Sequence, residues 1–303
     1  MKTESEFLAA LRTLPLHPGA RGLADDCAVL ELGSETLILT HDAMAAGTHY
    51  LPDADMGDVA WKLVASNLSD LAAKGAQPIG VLLGYVLGDG DERFIDGLAD
   101  VLGHYDVPLL GGDTIAAAGP RVLGLTAIGR ATCAPVPSRS GAKPGDSLWI
   151  TGEVGHAMAG FEALTGGSPG DSTAFRRPMA RLAEGQALAP LVTAMMDISD
   201  GLLLDSYRMA DASHVSIAID TAAVPVALPA RRFDCLIWGD DYELLFTLPP
   251  GVQPPIPAAR IGQVEMRGFA AIFVDGEPVT NPEGLGFSHS SGPAPRVSPA
   301  RIE

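Results

Sequence analysis

Short apolar segments of two kinds alternate along this chain, and the alternation limits the folds that it can adopt. Some are short apolar runs typical of buried strands, as in 36–40. Others repeat apolar residues every three to four positions, as in 58–74, which predicts a helix with Asp58 as N-cap and Gly75 as its stop. The 35 glycines and 24 prolines are spread along the chain, which indicates many short elements joined by turns.

These elements interleave without the regular rhythm of a parallel βαβ fold, so the pattern predicts an α+β protein. Further strands are predicted at 79–87, 107–110, 121–128, 147–151, a segment ending at 196, 215–219, 243–247 and 270–274. Further helices are predicted at about 91–104, 155–165, 178–189 and 201–210. With 303 residues the chain is long enough for two cores, and the Pro- and Ser-containing stretch 135–141 suggests domains 1–137 and 138–303. The Gly-, Ser- and Pro-rich segment after Asn281 is predicted to be loosely ordered.

The chain carries 37 acidic and 20 basic residues, a net charge of −17. Nucleic-acid binding is disfavoured, because it needs a positively charged face. Cys27, Cys133 and Cys235 are far apart, so we expect neither disulfides nor a zinc-thiolate site, and a cytoplasmic location. The first residues lack the apolar stretch of a signal peptide, and no run approaches the roughly 18 apolar residues that span a bilayer, so no membrane association is expected.

Several aspartates stand at the ends of predicted elements, mostly beside Gly, Ser or Thr. Each one alone could be a turn or cap residue. Asp70 is unusual because it lies inside a predicted helix, where Asp is a poor helix former, and Asn67 projects from the same side. Asp42 follows the apolar run 37–39 after two intervening residues, and Asp113 follows the segment 109–112. Carboxylates in such places suit Mg²⁺ bound to substrate phosphates, whereas the absence of a His/Cys ligand cluster disfavours zinc.

Known phosphate-binding motifs are missing from the sequence. It contains neither the G-x-x-x-x-G-K-[ST] loop nor a G-x-G-x-x-G fingerprint after a strand, and it lacks the protein-kinase motifs. A nucleotide-dependent enzyme of this kind would need a phosphate site built on metal ions.

Seven short motifs occur in order between about residues 4 and 290. They read GLADDCAVL, THD…GTH, NLSDLAAKGAQP, GGDT, RSGAKPGD, MDISDGL and GDDYEL. In this order and spacing the chain resembles the thiamine-monophosphate kinase family, in the superfamily of aminoimidazole ribonucleotide synthetase and selenophosphate synthetase. The resemblance implies an N-terminal α/β domain whose sheet pairs with a second subunit in a dimeric barrel, and a C-terminal α+β domain. It also implies that ATP and several Mg²⁺ ions, with K⁺ as a further candidate, bind between the domains. The implied reaction transfers the γ-phosphoryl group of ATP to thiamine monophosphate, which yields thiamine diphosphate and ADP.

The resemblance assigns expected roles to individual residues. The implied metal ligands are Asp26, Thr40, His41, Asp42, Asp70, Asp113, Asp197 and Asp200. The implied ATP contacts are Gly112, Asp113, Arg139 and Ser199. The implied substrate contacts are His49, Asp240 and Phe287. Catalysis would depend on Asp42, Asp70, Asp113 and Arg139.

Three positions depart from the family pattern. His41 stands where Ser or Thr is usual, so we expect any metal contact to use its backbone carbonyl. Asp240 stands where many members have Glu, which shortens its reach by one methylene. Ala24 replaces a common Gly before the first acidic pair, a change that affects loop shape and not the ligands.

The implied chemistry depends on positioning and on charge neutralisation. Carboxylates cannot neutralise phosphate, but they can hold the metal ions that do. The attacking phosphate oxygen is already ionised near neutral pH, so we expect direct in-line transfer without a phosphoenzyme. The planar guanidinium of Arg139 suits a phosphate contact, whereas Lys74 and Lys143 are expected on the surface. Tyr242 and Glu243 fit strand packing as well as they fit the site.

Two alternatives remain at this point. One is another ATP-using superfamily member, of the aminoimidazole ribonucleotide or selenophosphate synthetase type. The reactive Cys or selenocysteine usual in the latter is absent, and NLSDLAAKG and GDDYEL favour the thiamine enzymes. The other is a non-catalytic binding protein, which is disfavoured because so many clustered carboxylates are costly without metals.

Overall fold

Two β-sheets, each covering its own hydrophobic core, organise the chain in a computed structural model that describes residues 3–166 and 170–288. The first sheet has the order β1-β2-β5-β3-β4. Its strands are β1 (Ala28–Leu32), β2 (Glu35–Ala45), β3 (Ala76–Val86), β4 (Leu109–Ile115) and β5 (Val122–Ala131). Its β3–β4 pair is parallel and the other pairs are antiparallel. The helices of this half are α1 (Glu4–Leu11), α2 (Met56–Ala73) and α3 (Asp91–Tyr105), with a 3-10 segment at Pro18–Leu23.

The second sheet has the order β12-β11-β8-β10-β6-β9-β7. Its strands are β6 (Ser147–Ile150), β7 (Ala194–Asp197), β8 (Val215–Ile219), β9 (Leu244–Leu248), β10 (Ala259–Met266), β11 (Ile272–Val274) and β12 (Glu277–Val279). Its β8–β11 pair is parallel and the other pairs are antiparallel. The helices of this half are α4 (His156–Leu164), α5 (Thr173–Arg176), α6 (Leu182–Leu188), α7 (Leu202–Ala212) and α8 (Arg232–Trp238). Two further 3-10 segments lie at Thr221–Ala223 and Pro229–Arg231.

Helix α2 joins the two halves. It packs on β2, β3, β5 and α3 of the first half and on β7, α5 and α6 of the second. With neighbours on both sides it buries even Lys62, Asn67 and Ser69. Buried polar groups need partners, so its polar side chains are directed to specific places at the boundary between the halves.

The predicted α+β class is confirmed, and the helices and strands predicted above correspond to observed ones. The prediction of Asp58 as N-cap of α2 is wrong, because Asp55 caps the helix by accepting from the backbone N–H groups of Gly57 and Asp58. Asp58 instead pairs with Arg176 and Arg177, which come from the second half. The pattern missed β1, β10, β12, α1, α5 and α8.

The expectation of loose order after Asn281 is corrected for the part that the structure describes. Leu285 is buried in the second core, and the Phe287 N–H donates to the Asp200 carbonyl at 2.9 Å. Gly286 makes this approach possible, since an added Cβ would lie 2.3 Å from the Asp200 carbonyl oxygen. Residues 289–303 lie outside the described part. Within 3–166 and 170–288 the first sheet is open and not a closed barrel, and no helix has the length and apolarity to cross a membrane.

Candidate functional site

Three aspartates from distant parts of the chain converge at the boundary between the halves. Asp26, Asp70 and Asp197 each offer a carboxylate oxygen, and these atoms lie within 4.8 Å of one another. We call these three residues the acidic cluster. Asp26 precedes β1, Asp70 lies on α2 and Asp197 ends β7, so both halves are needed to assemble it.

Neighbouring hydroxyl groups hold two members of the acidic cluster in place. The Thr40 hydroxyl, on β2, donates to the Asp70 carboxylate. The Ser69 hydroxyl donates to Asp197 Oδ2 at 2.7 Å, which links α2 to the second sheet. Two adjacent residues of α2 therefore serve the acidic cluster: Asp70 supplies one carboxylate, and the Ser69 hydroxyl holds that of Asp197.

Asn67 and Asp42 extend the arrangement on the side of the first sheet. The Asn67 side chain donates to the Leu63 carbonyl at 2.9 Å and accepts from the Asp42 backbone N–H at 3.0 Å. Alternation along β2 places the side chains of Thr40 and Asp42 on the face toward α2. Asn67 and Asp70 therefore both face β2, as their three-residue spacing on a helix predicts.

The pKa values show how closely these carboxylates are crowded. Burial, reinforced by the charges of Asp42 and Asp197, raises the pKa of Asp70 well above its ordinary value. Burial together with the Asp26 charge raises the pKa of Asp197 to about 8. Burial raises the pKa of Asp42 to about 6, with a further contribution from Asp200 that opposes the lowering effect of His41. Such a group favours the binding of positive charge.

The acidic cluster fits a divalent metal ion. Its ligands are oxygen atoms only, the type that Mg²⁺ prefers. Asp26 Oδ2 is buried and accepts no hydrogen bond from the described residues, although the Lys74 ammonium lies 2.7 Å away at ion-pair distance, so this oxygen could still accept a metal ion. Asp26, Asp70 and Asp197 are the residues that would hold it.

Three cationic side chains surround the Asp25–Asp26 pair. Lys74 Nζ lies 2.5 Å from Asp25 Oδ1 and 2.7 Å from Asp26 Oδ2. The Arg139 guanidinium donates to Asp26, and Arg21 donates to Asp25 at 2.6 Å. The expectation that Lys74 lies on the surface is wrong, because its side chain is 0% exposed. Arg139 faces the acidic cluster, as a phosphate-binding residue would have to do.

Asp200, whose charge acts on Asp42, is held by residues that the sequence analysis missed. Arg208 Nη1 lies 2.5 Å from Asp200 Oδ2 and 2.9 Å from Asp205 Oδ1. The backbone N–H groups of Ser199 and Asp200 donate to Asp205 Oδ2, so this buried carboxylate fixes the loop after β7. The available sequence signal was the spacing of Asp205 and Arg208, which places both on one face of α7.

Asp113, Gly112 and the His41 ring are not brought to the acidic cluster within the described chain. Register across the first sheet runs from Asp42 through Leu125 and Leu83 to Gly112. Gly112 is therefore about 14 Å from Asp42, three strand spacings away, and Asp113 is the next residue along β4. The His41 ring projects from the opposite face of β2, where Nδ1 lies 2.9 Å from the Thr126 hydroxyl.

A second polar group lies farther along α2. Lys62, 2% exposed, donates to Asp240 Oδ2 at 2.9 Å and to the His49 carbonyl at 3.2 Å. Its ammonium also lies 3.9 Å from the ring centroid of Phe175. Lys62 thereby joins two residues expected to contact substrate, one from each half. We call Lys62, His49 and Asp240 the lysine junction.

The loop that carries Asp240 has a constrained backbone. Asp240 (φ 59°) and Tyr242 (φ 54°) adopt the left-handed conformation that is uncommon for residues other than glycine. Gly239 is required before them, because an added Cβ would lie 2.5 Å from the Ser199 carbonyl oxygen. Backbone strain of this kind occurs at functional sites, where the surrounding structure imposes it. Glu243, which the sequence analysis left between strand packing and the site, pairs with Arg181 at 2.5 Å.

Without metal ions the protein is expected to become less stable as pH rises from about 5 to 9. The raised pKa values of Asp42 (about 6) and Asp197 (about 8) mean that the folded state binds protons that the unfolded chain, with an ordinary value of 3.8, has released. A raised carboxyl pKa gives stability that is complete below the unfolded value and is lost as pH rises through the folded value. Thermal unfolding in EDTA across this range measures the effect.

The same series in saturating Mg²⁺ is the control. Bound cations favour the charged carboxylates, so the melting temperature should fall less steeply with pH. Burial also raises the pKa of Asp205 and Asp241, and these two groups contribute in both solutions. The difference between the two series therefore reports on the metal-binding carboxylates, and identical slopes would contradict their assignment.

Models of two protein domains match most of the chain. The first is AIR synthase related protein, N-terminal domain, over residues 24–131. The second is AIR synthase related protein, C-terminal domain, over residues 143–277.

Curated relatives cover nearly the whole chain. The thiamine-monophosphate kinase of Escherichia coli (strain K12) is 37% identical over 303 residues, which covers 90% of this chain and 92% of that protein. The thiamine-monophosphate kinase of Caulobacter vibrioides is 34% identical and covers 95% of this chain and 91% of its own length.

Solved structures of the same kind share the fold. AaThiL complexed with AMPPCP and TMP has a TM-score of 0.82 at 28% identity, and covers 95% of this chain and 97% of its own. The thiamine-monophosphate kinase of Stenotrophomonas maltophilia K279a has a TM-score of 0.73 at 29% identity, and covers 92% of this chain and 99% of its own. HypE, a hydrogenase maturation protein of E. coli, is 19% identical with a TM-score of 0.65 and covers 87% of each chain, which shows a common fold alone.

Proposed function

The chain belongs to the thiamine-monophosphate kinase family of AIR synthase related proteins, and we propose that it transfers the γ-phosphoryl group of ATP to thiamine monophosphate. The products would be thiamine diphosphate and ADP. Relatives of that name, and the similar structure that holds AMPPCP and TMP, support both ATP and thiamine monophosphate as substrates.

One observation carries the proposal: a single helix presents both the acidic cluster and the lysine junction. Asp70 and Lys62 are eight residues apart on α2, which corresponds to about 12 Å along the helix axis. An acceptor whose organic part lies at the lysine junction could therefore extend its phosphate toward the acidic cluster. The ATP polyphosphate would approach the same cluster from the side of Arg139 and Ser199.

The chain's own residues would position the two substrates and hold the ions that neutralise the phosphate charge. Asp26, Asp70 and Asp197, with Asp42 and Asp200 beside them, would hold several Mg²⁺ ions, which when bound supply the positive charge that the phosphates and the transition state require. Arg139, already directed at Asp26, would turn its donor fork to a phosphate oxygen. Thr40 would keep Asp70 oriented.

We infer direct in-line transfer, since the acceptor oxygen needs no general base. Isolation of a phosphorylated protein after incubation with ATP alone, competent to pass its phosphate to thiamine monophosphate, would refute this inference.

The assay that tests the proposed function measures ADP release with three acceptors. Thiamine monophosphate should support turnover, whereas free thiamine should not. Formylglycinamidine ribonucleotide tests the aminoimidazole ribonucleotide synthetase alternative, and turnover with it alone would reject the proposal.

A homodimer formed through the first sheet is part of the proposal. The edge strand β4 is exposed along its length, including Leu109, Leu110 and Ile115. Exposed apolar edge strands readily pair with another chain. A dimer at this edge would cover Asp113 and could complete the dimeric barrel that the resemblance implies. Sedimentation of the purified protein as a monomer would exclude it.

The division at 1–137 and 138–303 also remains a proposal, supported by the core that each sheet covers, although a third buried cluster joins α2 to the second half. Limited proteolysis should cut first between residues 132 and 141. A cytoplasmic location, predicted from cysteine usage, is testable by cell fractionation.

Replacing Asp240 by alanine is expected to raise the KM for thiamine monophosphate at least about tenfold and to leave the KM for ATP nearly unchanged, because the loss of a charge-assisted contact costs more than about 1.4 kcal/mol. Steady-state kinetics with each substrate varied in turn measures this. Asp100→Ala, which removes an exposed carboxylate from α3, is the matched control. A defect confined to ATP would contradict the placement of Asp240.

A further inference from the structure

Lys74 is a fully buried ammonium group beside the acidic cluster. It follows the last residue of α2, and its Nζ lies 2.5 Å from Asp25 Oδ1, 2.7 Å from Asp26 Oδ2 and 3.3 Å from the Met195 carbonyl oxygen. It thus contacts the acidic loop before β1 and strand β7 of the second sheet simultaneously. A lysine is rarely buried to this extent unless it is paired.

The geometry toward the two carboxylates differs. Lys74 donates a hydrogen bond to Asp25, which is also bound by Arg21 and by the Ser138 hydroxyl. Toward Asp26 Oδ2 it lies at ion-pair distance without making a hydrogen bond. That oxygen therefore has a cation beside it but accepts no hydrogen bond from the described residues.

Charge accounts for the location of Lys74 better than packing does. Its ammonium lies between two carboxylates whose side chains are each only 2% exposed. Buried carboxylates of this kind need a cation as partner. An apolar side chain of the same length would leave two buried carboxylates with one cation fewer.

We propose that Lys74 is a built-in cation of the acidic cluster, which keeps the metal-free protein folded and weakens the binding of divalent ions through Asp26. When no metal ion is bound, its positive charge balances the buried carboxylates of Asp25 and Asp26. When a metal ion approaches, the ammonium competes with it for Asp26 Oδ2. The proposal rests on the metal-binding role proposed above for the acidic cluster. It assigns Lys74 a positioning and charge-balancing role, without contact to the reacting atoms.

The test is Lys74→Met, which keeps the length of the side chain and removes its charge. In EDTA the melting temperature is expected to fall by about 10 °C, the scale expected when one partner of a buried ion pair is removed. Without nucleotide or thiamine phosphate, Mn²⁺ should bind at least about tenfold more tightly than to the unaltered protein, because a positive charge a few ångströms away is gone. Saturating Mn²⁺ should recover most of the lost melting temperature.

Two further variants separate charge from packing. Asp25→Asn combined with Lys74→Met removes one charge of each sign, and should restore both the melting temperature in EDTA and the weaker Mn²⁺ binding. Lys143→Met removes an exposed lysine and should change neither quantity. If Lys74→Met alone fails to fold, the double variant still tests the proposal, because its melting temperature and its Mn²⁺ affinity should return to those of the unaltered protein.

Unchanged or weaker Mn²⁺ binding by Lys74→Met would overturn the proposal, as would a double variant as unstable as the single one. These measurements use Mn²⁺ alone. A failure of the phosphotransfer proposal would appear separately, as absence of turnover by the unaltered protein.

Discussion

Replacing Asp70 by alanine is expected to abolish phosphoryl transfer and to leave the fold intact. Asp70 is the member of the acidic cluster on α2, and its carboxylate is crowded by Asp26, Asp42 and Asp197. Loss of a ligand to the ions that neutralise the transferred group removes several kcal/mol of transition-state stabilisation, so kcat should fall at least about 10³-fold.

Without metal ions, replacing Asp70 should maintain or raise the stability of the fold, although it abolishes activity. Asp70 is buried among like charges, so its removal relieves repulsion as well as creating a small cavity. Asp70→Asn keeps the shape of the side chain and an acceptor for Thr40, and its melting temperature in EDTA should equal or exceed that of the unaltered protein.

The distinguishing measurement is the stabilisation by Mg²⁺. The unaltered protein should gain melting temperature with Mg²⁺, whereas both Asp70 variants should gain much less. Asp100→Asn, an exposed substitution on α3, is the control and should behave as the unaltered protein. Full turnover by a folded Asp70 variant at saturating Mg²⁺ would contradict the metal-binding assignment.

Local patterns were sufficient to predict what α2 and β2 contribute. The periodicity of 58–74 and the unusual Asp within it predicted a helix with Asn67 and Asp70 on one side, and the structure shows both beside β2. These features follow from helical spacing over a few residues and need no knowledge of the rest of the fold.

The buried lysines could not be found in this way. A lysine within a helix ordinarily lies on a solvated face, and Lys62 and Lys74 are buried because the second half of the chain packs over α2. Their partners are distant in sequence, since Asp240 follows Lys62 by 178 residues. Such contacts are consequences of the tertiary fold.

Missed strands have a related cause. Strand β10 pairs with β6 through a register shift between Arg260 and Gly262, which interrupts the alternation that marks a half-buried strand. The capping error at Asp58 is similar, because its side chain is neutralised by Arg176 and Arg177 from the other half. Whether an acidic residue caps a helix or joins two domains depends on partners that the local sequence does not contain.

Replacing Lys62 by methionine is the other substitution with a large expected effect. Lys62 pairs with Asp240 at 2.9 Å, and both side chains are less than one-tenth exposed. Removing one partner of a buried ion pair costs about 3–5 kcal/mol, which corresponds to a fall of about 10 °C in melting temperature. Lys143→Met, at an exposed lysine, should leave the melting temperature within about 2 °C, as expected of an ordinary surface change.

A double-mutant cycle identifies the cause of the loss. Asp240→Asn in the background of Lys62→Met removes the buried charge that has lost its ammonium partner, so the double variant should be more stable than Lys62→Met alone. Urea unfolding gives the free energies of unfolding of the four proteins. Additive free energies would show that Lys62 contributes through its contact with the Phe175 ring and not through its pairing with Asp240.

Catalysis should change in a way that stability alone does not explain. Lys62 holds the His49 carbonyl and the Asp240 carboxylate together, so its loss should raise the KM for thiamine monophosphate while kcat and the KM for ATP change less. The acidic cluster is about 12 Å away along α2 and has its own partners, so metal binding should persist. A Lys62→Met protein with lowered kcat and an unchanged KM for thiamine monophosphate would place the acceptor elsewhere, and would separate the lysine junction from the substrate site.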